Sequence, residues 1–251
     1  MNLLLKLLLV IKTIQNFPTA IFDRLGLISG VVTYKLKRNN LKFIARSGTE
    51  DLAEIAVVAS GSEYKLSHIK LPKKPFIVDL GAHIGTFSIP TSKILKGSKT
   101  IAYEPDEGNF AILKRNILLN NIKSIKVKKV AISNYVGWGY LNREGVNTDG
   151  YHLNKNKKED PNCRVSTLAK EFGNRKIDLL KMDIEGGEYE VFLHKASLAF
   201  IKKKVHYLFM EYHNIDSHYN YSLIKDLIEK NFIVLDSHGV TLALENSNWD
   251  V

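Results

Sequence analysis

Hydrophobic and polar positions switch between two periods along most of the chain, and this switching predicts an α/β fold. From residue 76 onward, short apolar runs typical of buried strands alternate with stretches in which apolar residues recur every three to four positions, as in helices. The predicted strands cover residues 76–80, 100–104, 125–133, 177–184 and 205–212, and the helices cover roughly 86–96, 107–120, 167–173, 188–201 and 221–230. A closing hairpin of residues 232–236 and 241–244 supplies two further strands. We therefore expect a doubly wound, mostly parallel seven-stranded sheet whose last strand inserts antiparallel.

The first 70 residues have a different pattern and predict an extension that packs on the core. Residues 1–12 are strongly apolar but are interrupted by Lys6 and fall short of the roughly twenty residues that span a bilayer. Two interpretations remain open for them: a helix packed on its own protein, or a peripheral membrane contact. Alternating runs at 31–37 and 41–46 predict a β-hairpin, and Leu52, Ile55 and Ala56 mark the buried stripe of a helix that ends near Ser60. The predicted domains are thus residues 1–70 and 71–251.

Composition narrows the class of protein. Hydrophobic residues make up 45% and charged residues 25% of 251 residues, which is typical of a globular domain. The single cysteine, Cys163, excludes an intrachain disulfide and fits a reducing, cytoplasmic location. A net charge of +10 is compatible with an anionic partner, but the basic residues are scattered and lack the interleaved aromatics of single-strand binders. Nucleic acid is therefore a disfavoured partner.

The first strand of the predicted sheet ends in VDLGAHIG, residues 78–85. An apolar run followed by an acid and two glycines predicts a tight turn that leads into a helix, whose free N–H groups attract an anionic group. The spacing of Asp79, Gly81 and Gly85 differs from the Gly-x-Gly-x-x-Gly pattern of dinucleotide-binding proteins. A different nucleoside cofactor is expected.

Further acids and histidines follow the other predicted strands. In an open α/β sheet, ligands bind beyond the carboxyl ends of the strands, so these side chains should share one edge. Glu104 follows the second strand, where a carboxylate can accept hydrogen bonds from both hydroxyls of a ribose. S-adenosylmethionine fits a nucleoside site that has no phosphate cradle. The other residues predicted at this edge are His83, Pro105, Asp183, Glu185, Glu211 and His213.

At this point the sequence resembles the FkbM-type class I methyltransferases, which have a Rossmann-like fold. The resemblance rests on the segments VDLGAHIGTFS (78–88), AYEPDEGNFAILKRNILLNN (102–121), LLKMDIEGGEYEVF (179–192) and FMEYH (209–213), and on RSGTEDL (46–52) upstream. KMDIEGGE, after the fourth strand, is much more specific than the glycine turn. The resemblance extends from about residue 33 to residue 213.

The resemblance implies S-adenosylmethionine as the cofactor and identifies the residues that border it. Asp79, Gly81 and Gly85 would lie beside its methionine part, Glu104 would hold its ribose, and the strand end at Ala131 would lie near adenine. His83 is a departure, because the family often has asparagine there. The full set of expected cofactor-binding residues is Asp79, Gly81, Ala82, His83, Gly85, Glu104, Pro105, Ala131 and Asp183.

Methyl transfer to a hydroxyl requires alignment of the acceptor and removal of its proton. Asp183, Glu185 and His213 are the candidate catalytic residues, although Glu185 could instead cap a helix and His213 could be an ordinary histidine of the sheet edge. The expected activity is O-methylation of a sugar, glycan precursor or small metabolite. Three alternatives stay open: an RNA methyltransferase, a metal-assisted enzyme using Asp183, Glu185, Glu211 and His213, and a non-catalytic cofactor-binding or interaction protein. Because the spacing of those four residues fixes no coordination geometry, the sequence assigns no metal site, and it leaves the oligomeric state open.

Overall fold

The computed structural model describes residues 3–61, 64–143, 151–154, 160–214 and 220–249. The N-terminal extension contains the predicted hairpin and helix. Its elements are helices α1 (Leu3–Thr13) and α2 (Phe17–Arg24), strands β1 (Val31–Lys35) and β2 (Lys42–Arg46), and helix α3 (Asp51–Ser60). The two strands pair antiparallel, and Leu52, Ile55 and Ala56 are buried as the apolar stripe predicted.

The rest of the described chain alternates strands and helices. Its first part contains β3 (Phe76–Leu80), α4 (Ser88–Ile94), β4 (Lys99–Tyr103), α5 (Glu107–Leu119), β5 (Ile125–Lys128), β6 (Ala131–Ile132), β7 (Gly137–Arg143) and β8 (Tyr151–Asn154). Its second part contains β9 (Cys163–Ser166), α6 (Leu168–Phe172), β10 (Ile177–Met182), α7 (Glu188–Leu193), α8 (Lys195–Lys204), β11 (Val205–Glu211), α9 (Ser222–Glu229), β12 (Phe232–His238) and β13 (Thr241–Asn246).

The main sheet of the described residues has seven strands in the order β12-β13-β11-β10-β3-β4-β5. The five strands from β11 to β5 are parallel, and β13 is antiparallel to both of its neighbours. The predicted fold class is therefore confirmed, including the antiparallel insertion of the last strand. Helices cover both faces, and the apolar residues of β3 and β10 are fully buried between them.

Several predicted elements are divided or shifted. The predicted strand 125–133 is two strands, because β4 ends at Tyr103 and the chain beyond Lys128 pairs instead with β9. The predicted helix 188–201 is two helices, because the extended backbone of His194 interrupts the hydrogen-bond ladder. Pro90 lies in the first turn of α4, where its missing N–H is not needed.

Strands β6 to β9 form a second, four-stranded sheet in the order β6-β9-β7-β8. Residues 134–161 are rich in Gly, Asn, Lys and Tyr and weak in periodicity, a pattern that predicts a long loop or a few irregular strands. The described parts of that region are regular strands, while residues 144–150 and 155–159 lie outside the described residues. A small apolar cluster, Ala131, Leu141, Cys163 and Val165, holds this sheet together.

Asn116 of α5 and Asn120, which follows the last residue of that helix, attach the extension to the core. Asn116 is fully buried; its Oδ1 accepts the Ile44 N–H at 2.6 Å, and its Nδ2 donates to the carbonyls of Ile44 (3.1 Å) and Ile84 (2.9 Å). Asn120 pairs in the same way with the N–H and C=O of Lys42 at the exposed end of β2. The helix thus extends the hydrogen bonding of the hairpin edge, which fixes the extension relative to the glycine turn.

The first helix, α1, and the residue that follows it pack partly against the hairpin and α3 of the extension. Val10 and Ile14 are buried in the same apolar cluster as α3 and the hairpin, while Leu7 and Leu8 are exposed. Among the described residues, none of the helices has the length and apolar character needed to cross a bilayer. Contact of the first twelve residues with a membrane surface stays a prediction.

Candidate active site

The strand order reverses between β3 and β10. From β3 the chain continues outward through β4 to β5, whereas β10 lies on the other side of β3 and continues to β11. The crevice beyond the carboxyl ends of these strands is where an open α/β sheet binds its ligand. Asp79 and the glycine turn (residues 81–85) leave from β3, Glu104 from β4, Asp183 from β10, and Glu211 and His213 from β11.

The glycine turn is packed directly against the end of β10. Gly81 has φ +74°, and a Cβ atom at this position would lie 1.7 Å from the carbonyl oxygen of Asp183. A Cβ atom on Gly85 would lie 2.8 Å from side-chain carbons of both Ile89 and Leu113. Packing against the backbone of β10 thus requires glycine at position 81, whereas at position 85 the left-handed backbone, φ +96°, favours glycine.

Most of the N–H groups of this turn are already hydrogen-bonded. Those of Gly81 and Ala82 donate to the carbonyl of Tyr103, and that of Gly85 donates to Ala82. The turn uses the N–H groups of Gly81 and Ala82 to hold β3 against β4. The free donors that the sequence predicts at the start of the helix correspond to the N–H groups of Thr86 and Phe87, which have no backbone partner among the described residues. Any donors to the carboxylate of a ligand must come from the segment nearer α4.

Asp79 and Lys181 form a buried ion pair beneath the turn. Asp79 Oδ2 accepts the Ser88 hydroxyl at 2.5 Å, and Asp79 Oδ1, which has no hydrogen-bond partner among the described residues, lies 3.5 Å from Lys181 Nζ. Lys181 also donates to the Gly81 carbonyl at 2.7 Å and pairs with Asp183 at 3.2 Å. Burial raises the pKa of Asp79, an effect that Lys181 opposes. Lys181 therefore connects the glycine turn to the end of β10.

Glu104 is held by the backbone of two loops. Its Oε2 accepts the His83 N–H at 2.7 Å and its Oε1 accepts the Asp106 N–H at 2.9 Å. Burial raises the pKa of Glu104 to about 7, although the neighbouring His83 and the two N–H donors oppose the shift. Each carboxylate oxygen has two acceptor sites, so one on each oxygen is left for the hydroxyls of a ribose.

His83 is where the extension contacts the glycine turn. It has φ +49° and is buried; its Nδ1 lies 2.8 Å from Glu54 Oε2, and its Nε2 lies 3.4 Å from Asp51 Oδ1. Arg46 pairs with Asp51 at 2.9 Å and lies 3.2 Å from His83 Nε2. Burial alone would lower the pKa of His83, but Glu54 and Asp51 raise this pKa well above its ordinary value. The segment 46–54 is therefore part of the site's support.

A group of acids surrounds His213 at the carboxyl ends of β10 and β11. This acidic cluster comprises Asp183, Glu185, Glu188, Glu211 and His213. Burial alone would lower the pKa of His213, but Glu188, Glu185 and Asp183 raise it to about 10. Burial, followed by the charge of Asp183, raises the pKa of Glu211 to about 7.

The structure brings most of the predicted site residues together. Asp183, Glu185 and His213 share the acidic cluster, and Asp79, Gly81, Ala82, His83, Gly85 and Glu104 share the neighbouring turn, with Pro105 directly after Glu104. Ala131 is the exception, because its side chain is buried in the apolar cluster of the second sheet. Its place beside adenine stays a prediction.

Sequence reasoning did not assign roles to Lys181, Glu188 and Glu54. A lysine within the otherwise apolar strand β10 is a signal that could have identified Lys181, since an unpaired buried ammonium is very costly. Glu188 ends the KMDIEGGE segment, which could have identified it. Glu54 faces the site only because α3 packs as it does, and no local pattern marks it.

The chemistry of these residues fits S-adenosylmethionine. The unpartnered, buried Asp79 Oδ1 is a suitable acceptor for an ammonium group, and Glu104 retains acceptor sites for a diol. The carboxylates of the acidic cluster would complement a sulfonium charge.

Comparisons with known proteins agree with this fit. The model of the methyltransferase FkbM domain matches residues 79–233, more than half of the chain. Methyltransferase sdnD of Sordaria araneosa is 30% identical over 156 residues, which cover 48% of this chain and 60% of that relative. Methyltransferase 1 of Beauveria bassiana (strain ARSEF 2860) is 24% identical over 204 residues, which cover 71% of this chain and 77% of that relative.

A solved structure shows the shared fold. The crystal structure of methyltransferase FkbM from Methylobacillus flagellatus KT superposes with a TM-score of 0.52 at 16% sequence identity. The superposition covers 77% of this chain and 53% of that chain. This chain therefore spans about half to three quarters of the length of these proteins.

Proposed function

Because the chain belongs to the FkbM family of methyltransferases, we propose that it transfers a methyl group from S-adenosylmethionine to a hydroxyl of a sugar, glycan precursor or other small metabolite. The observation that carries this proposal is the position of Asp183 between two groups of residues. Its backbone carbonyl lies against Gly81, and its side chain pairs with Lys181 at 3.2 Å and approaches His213 to 3.9 Å. Asp183 thus belongs both to the cofactor turn and to the acidic cluster.

The cofactor supplies an electrophilic methyl group on a sulfonium centre. Glu104 would hold the ribose hydroxyls, and Asp79 with the glycine turn would lie at the methionine end. Lys181 and Ser88 fix Asp79, so the turn is positioned before any ligand arrives. These residues would orient the cofactor, while the acidic cluster meets the acceptor.

The acidic cluster is suited to a hydroxyl acceptor. A carboxylate accepts a hydrogen bond from a hydroxyl and can take its proton as the new bond forms. Asp183, Glu185 and His213 are partly exposed, with side-chain exposures of 24%, 27% and 25%. We assign orientation of the acceptor to these three residues and removal of its proton to Asp183 or Glu185, because the raised pKa of His213 keeps its imidazole protonated near neutral pH.

The same residues disfavour a polyanionic acceptor. The three partly exposed carboxylates of the acidic cluster, Asp183, Glu185 and Glu211, would repel phosphodiester groups, although the overall charge is +10. A neutral, hydroxyl-rich acceptor has no such penalty. RNA is therefore the alternative acceptor that the experiments must exclude. Binding of RNA that weakens steeply as the salt concentration rises would indicate an RNA methyltransferase.

Glu104→Ala tests cofactor binding, and Asp183→Asn tests catalysis. S-adenosylmethionine binding is measured by calorimetry for wild type, Glu104→Ala and the control Glu107→Ala, which changes an exposed acid of α5. Loss of charge-assisted hydrogen bonds to the ribose should weaken binding by about 10- to 100-fold in Glu104→Ala. Unchanged affinity in that variant would remove the ribose assignment.

Methyl transfer is then screened with radiolabelled cofactor against sugars, glycolipid precursors and RNA. Asp183→Asn should bind the cofactor but fail to transfer the methyl group. The control Asp178→Asn changes an acid at the opposite end of β10 and should retain activity, because asparagine keeps an acceptor for the Phe76 N–H. Turnover by Asp183→Asn would contradict the catalytic assignment, and transfer to RNA alone would replace the acceptor class.

A further inference from the structure

Three ligand-type side chains of the acidic cluster converge on one point. Asp183, Glu188 and His213 each offer one atom able to bind a metal, and these atoms all lie within 4.8 Å of one another. Glu185 and Glu211 approach the same imidazole, with oxygens 3.4 and 3.9 Å from His213 Nε2. Four carboxylates therefore surround one histidine.

The separations around His213 are long for hydrogen bonds. Asp183 Oδ1 lies 3.9 Å from Nε2, and Glu188 Oε1 lies 3.4 Å from Nδ1. An N–H···O hydrogen bond is about 2.7–3.2 Å long. Two ligands at about 2.1 Å from one cation are separated by about 3.0 Å when adjacent and about 4.2 Å when opposite. The two separations above involve different nitrogens of the imidazole, and a cation binds only one of them. The evidence for a single site is therefore that one ligand atom from each of the three residues lies within 4.8 Å of the others, close to the separation of opposite ligands.

Glu188 provides a second, independent observation. This side chain is fully buried, and its Oε1 accepts the Ile184 N–H at 2.7 Å. Its Oε2 is also buried but has no hydrogen-bond partner among the described residues, and the same is true of His213 Nδ1. An unpaired buried carboxylate oxygen is costly, and a cation bound beside it would remove that cost.

We propose that Asp183, Glu188 and His213 bind a divalent cation, with Glu185 and Glu211 beside it as further ligands or as acceptors for its bound waters. Lys181 does not substitute for such a cation, because its ammonium is shared between Asp79, Asp183 and the Gly81 carbonyl. Several carboxylates with one imidazole suit Mn²⁺ or Mg²⁺ better than a soft, thiol-preferring metal. The site is thus expected to select an oxygen-preferring ion.

The role of the cation rests on the proposed function. At this position it would bind the oxygen of the acceptor hydroxyl and lower the pKa of that group, which favours loss of the proton. Asp183 would then join the cation site to the cofactor turn. The occupancy of the site can nevertheless be tested without any acceptor.

The test is a titration of the full chain with Mn²⁺ alone, in which the paramagnetic resonance signal of free Mn²⁺ reports binding. Wild type should bind one ion. Asp183→Asn, Glu188→Gln and His213→Gln should each weaken binding by more than the roughly 10- to 100-fold that loss of a supporting residue causes. Glu188→Gln keeps an oxygen for the Ile184 N–H, so the turn before α7 should stay folded. Glu190→Gln, two residues further along α7, is the matched control and should bind like wild type.

Absence of Mn²⁺ binding to wild type, or equal binding by all four variants, would overturn the proposal. Competition by Mg²⁺ should displace Mn²⁺ from the same site, and displacement only by Zn²⁺ would overturn the assigned ion class. These outcomes are independent of methyl transfer. A chain that binds Mn²⁺ but methylates no hydroxyl would contradict the proposed acceptor and leave the cation site intact. Methylation of a hydroxyl by a chain that does not bind Mn²⁺ would contradict the cation site and support the proposed acceptor.

Discussion

Replacing Gly81 with alanine should cost much more stability than the same change at a glycine with equal backbone geometry. Gly81 and Gly61 have φ +74° and +71°, so a side chain is equally strained at both positions by the backbone alone. A Cβ atom on Gly61 would meet nothing within 4 Å, whereas one on Gly81 would lie 1.7 Å from the Asp183 carbonyl oxygen. The pair therefore separates conformational strain from steric contact.

The magnitude follows from these contacts. The left-handed backbone costs alanine about 1–2 kcal/mol at either position. At Gly81, widening a 1.7 Å contact to the 3.0 Å that Cβ atoms tolerate requires the end of β10 to move by about 1.3 Å. Overpacking of this kind costs about 1–3 kcal/mol. The movement also disturbs the Asp183 N–H bond to Leu80 and the Lys181 bond to the Gly81 carbonyl, worth about 1 kcal/mol each.

Gly81→Ala should therefore lower the free energy of unfolding by roughly 4–7 kcal/mol, and Gly61→Ala by about 1–2 kcal/mol. The assay is urea denaturation followed by far-ultraviolet circular dichroism, with the slope compared between variants to exclude a change in the unfolded state. Equal losses of stability in the two variants would refute the claim that the turn is packed against the end of β10.

Two further predictions concern the attachment of the extension and the charge of the histidine in the turn. Asn116→Ala should lower the free energy of unfolding by about 2–4 kcal/mol, because it leaves the N–H and C=O of Ile44 and the C=O of Ile84 without their partner. Asn120→Ala should cost under about 1 kcal/mol, because water replaces its exposed bonds to Lys42. Similar losses of stability in the two variants, measured by urea denaturation, would contradict this prediction. Because the folded pKa of His83 is raised, its protonated form stabilises the fold fully below its unfolded pKa, and this contribution is lost as pH rises through the folded value. The stability difference between wild type and His83→Asn should therefore shrink toward alkaline pH, and a difference that stays constant in unfolding measured across pH would rule out the ion pair with Glu54.

Much of the architecture follows from local patterns. The alternation of strands and helices, the hairpin at β1 and β2, and the order of acids and glycines at the strand ends are all written within short windows of sequence. The helical spacing of residues 107–120 predicts Phe110, Leu113, Ile117 and Leu118 in the core. Leu113 and Ile117 are buried as predicted, but the prediction for Leu118 is wrong because its side chain is exposed, and the buried face of α5 includes Asn109 and Asn116 instead. Asn116 enters this face because it bonds to a hairpin that is distant in sequence.

The sequence by itself determined the fold class, the glycine turn, and the acids and histidine that follow the strands, because each is a local pattern of residue type and spacing. Only the tertiary structure decided which charges meet. Lys181 beneath the turn, Glu54 beside His83 and Glu188 beside His213 depend on the packing of elements far apart in the chain. Electrostatic interactions fall off with distance and rise with burial, and both quantities exist only after the chain has folded.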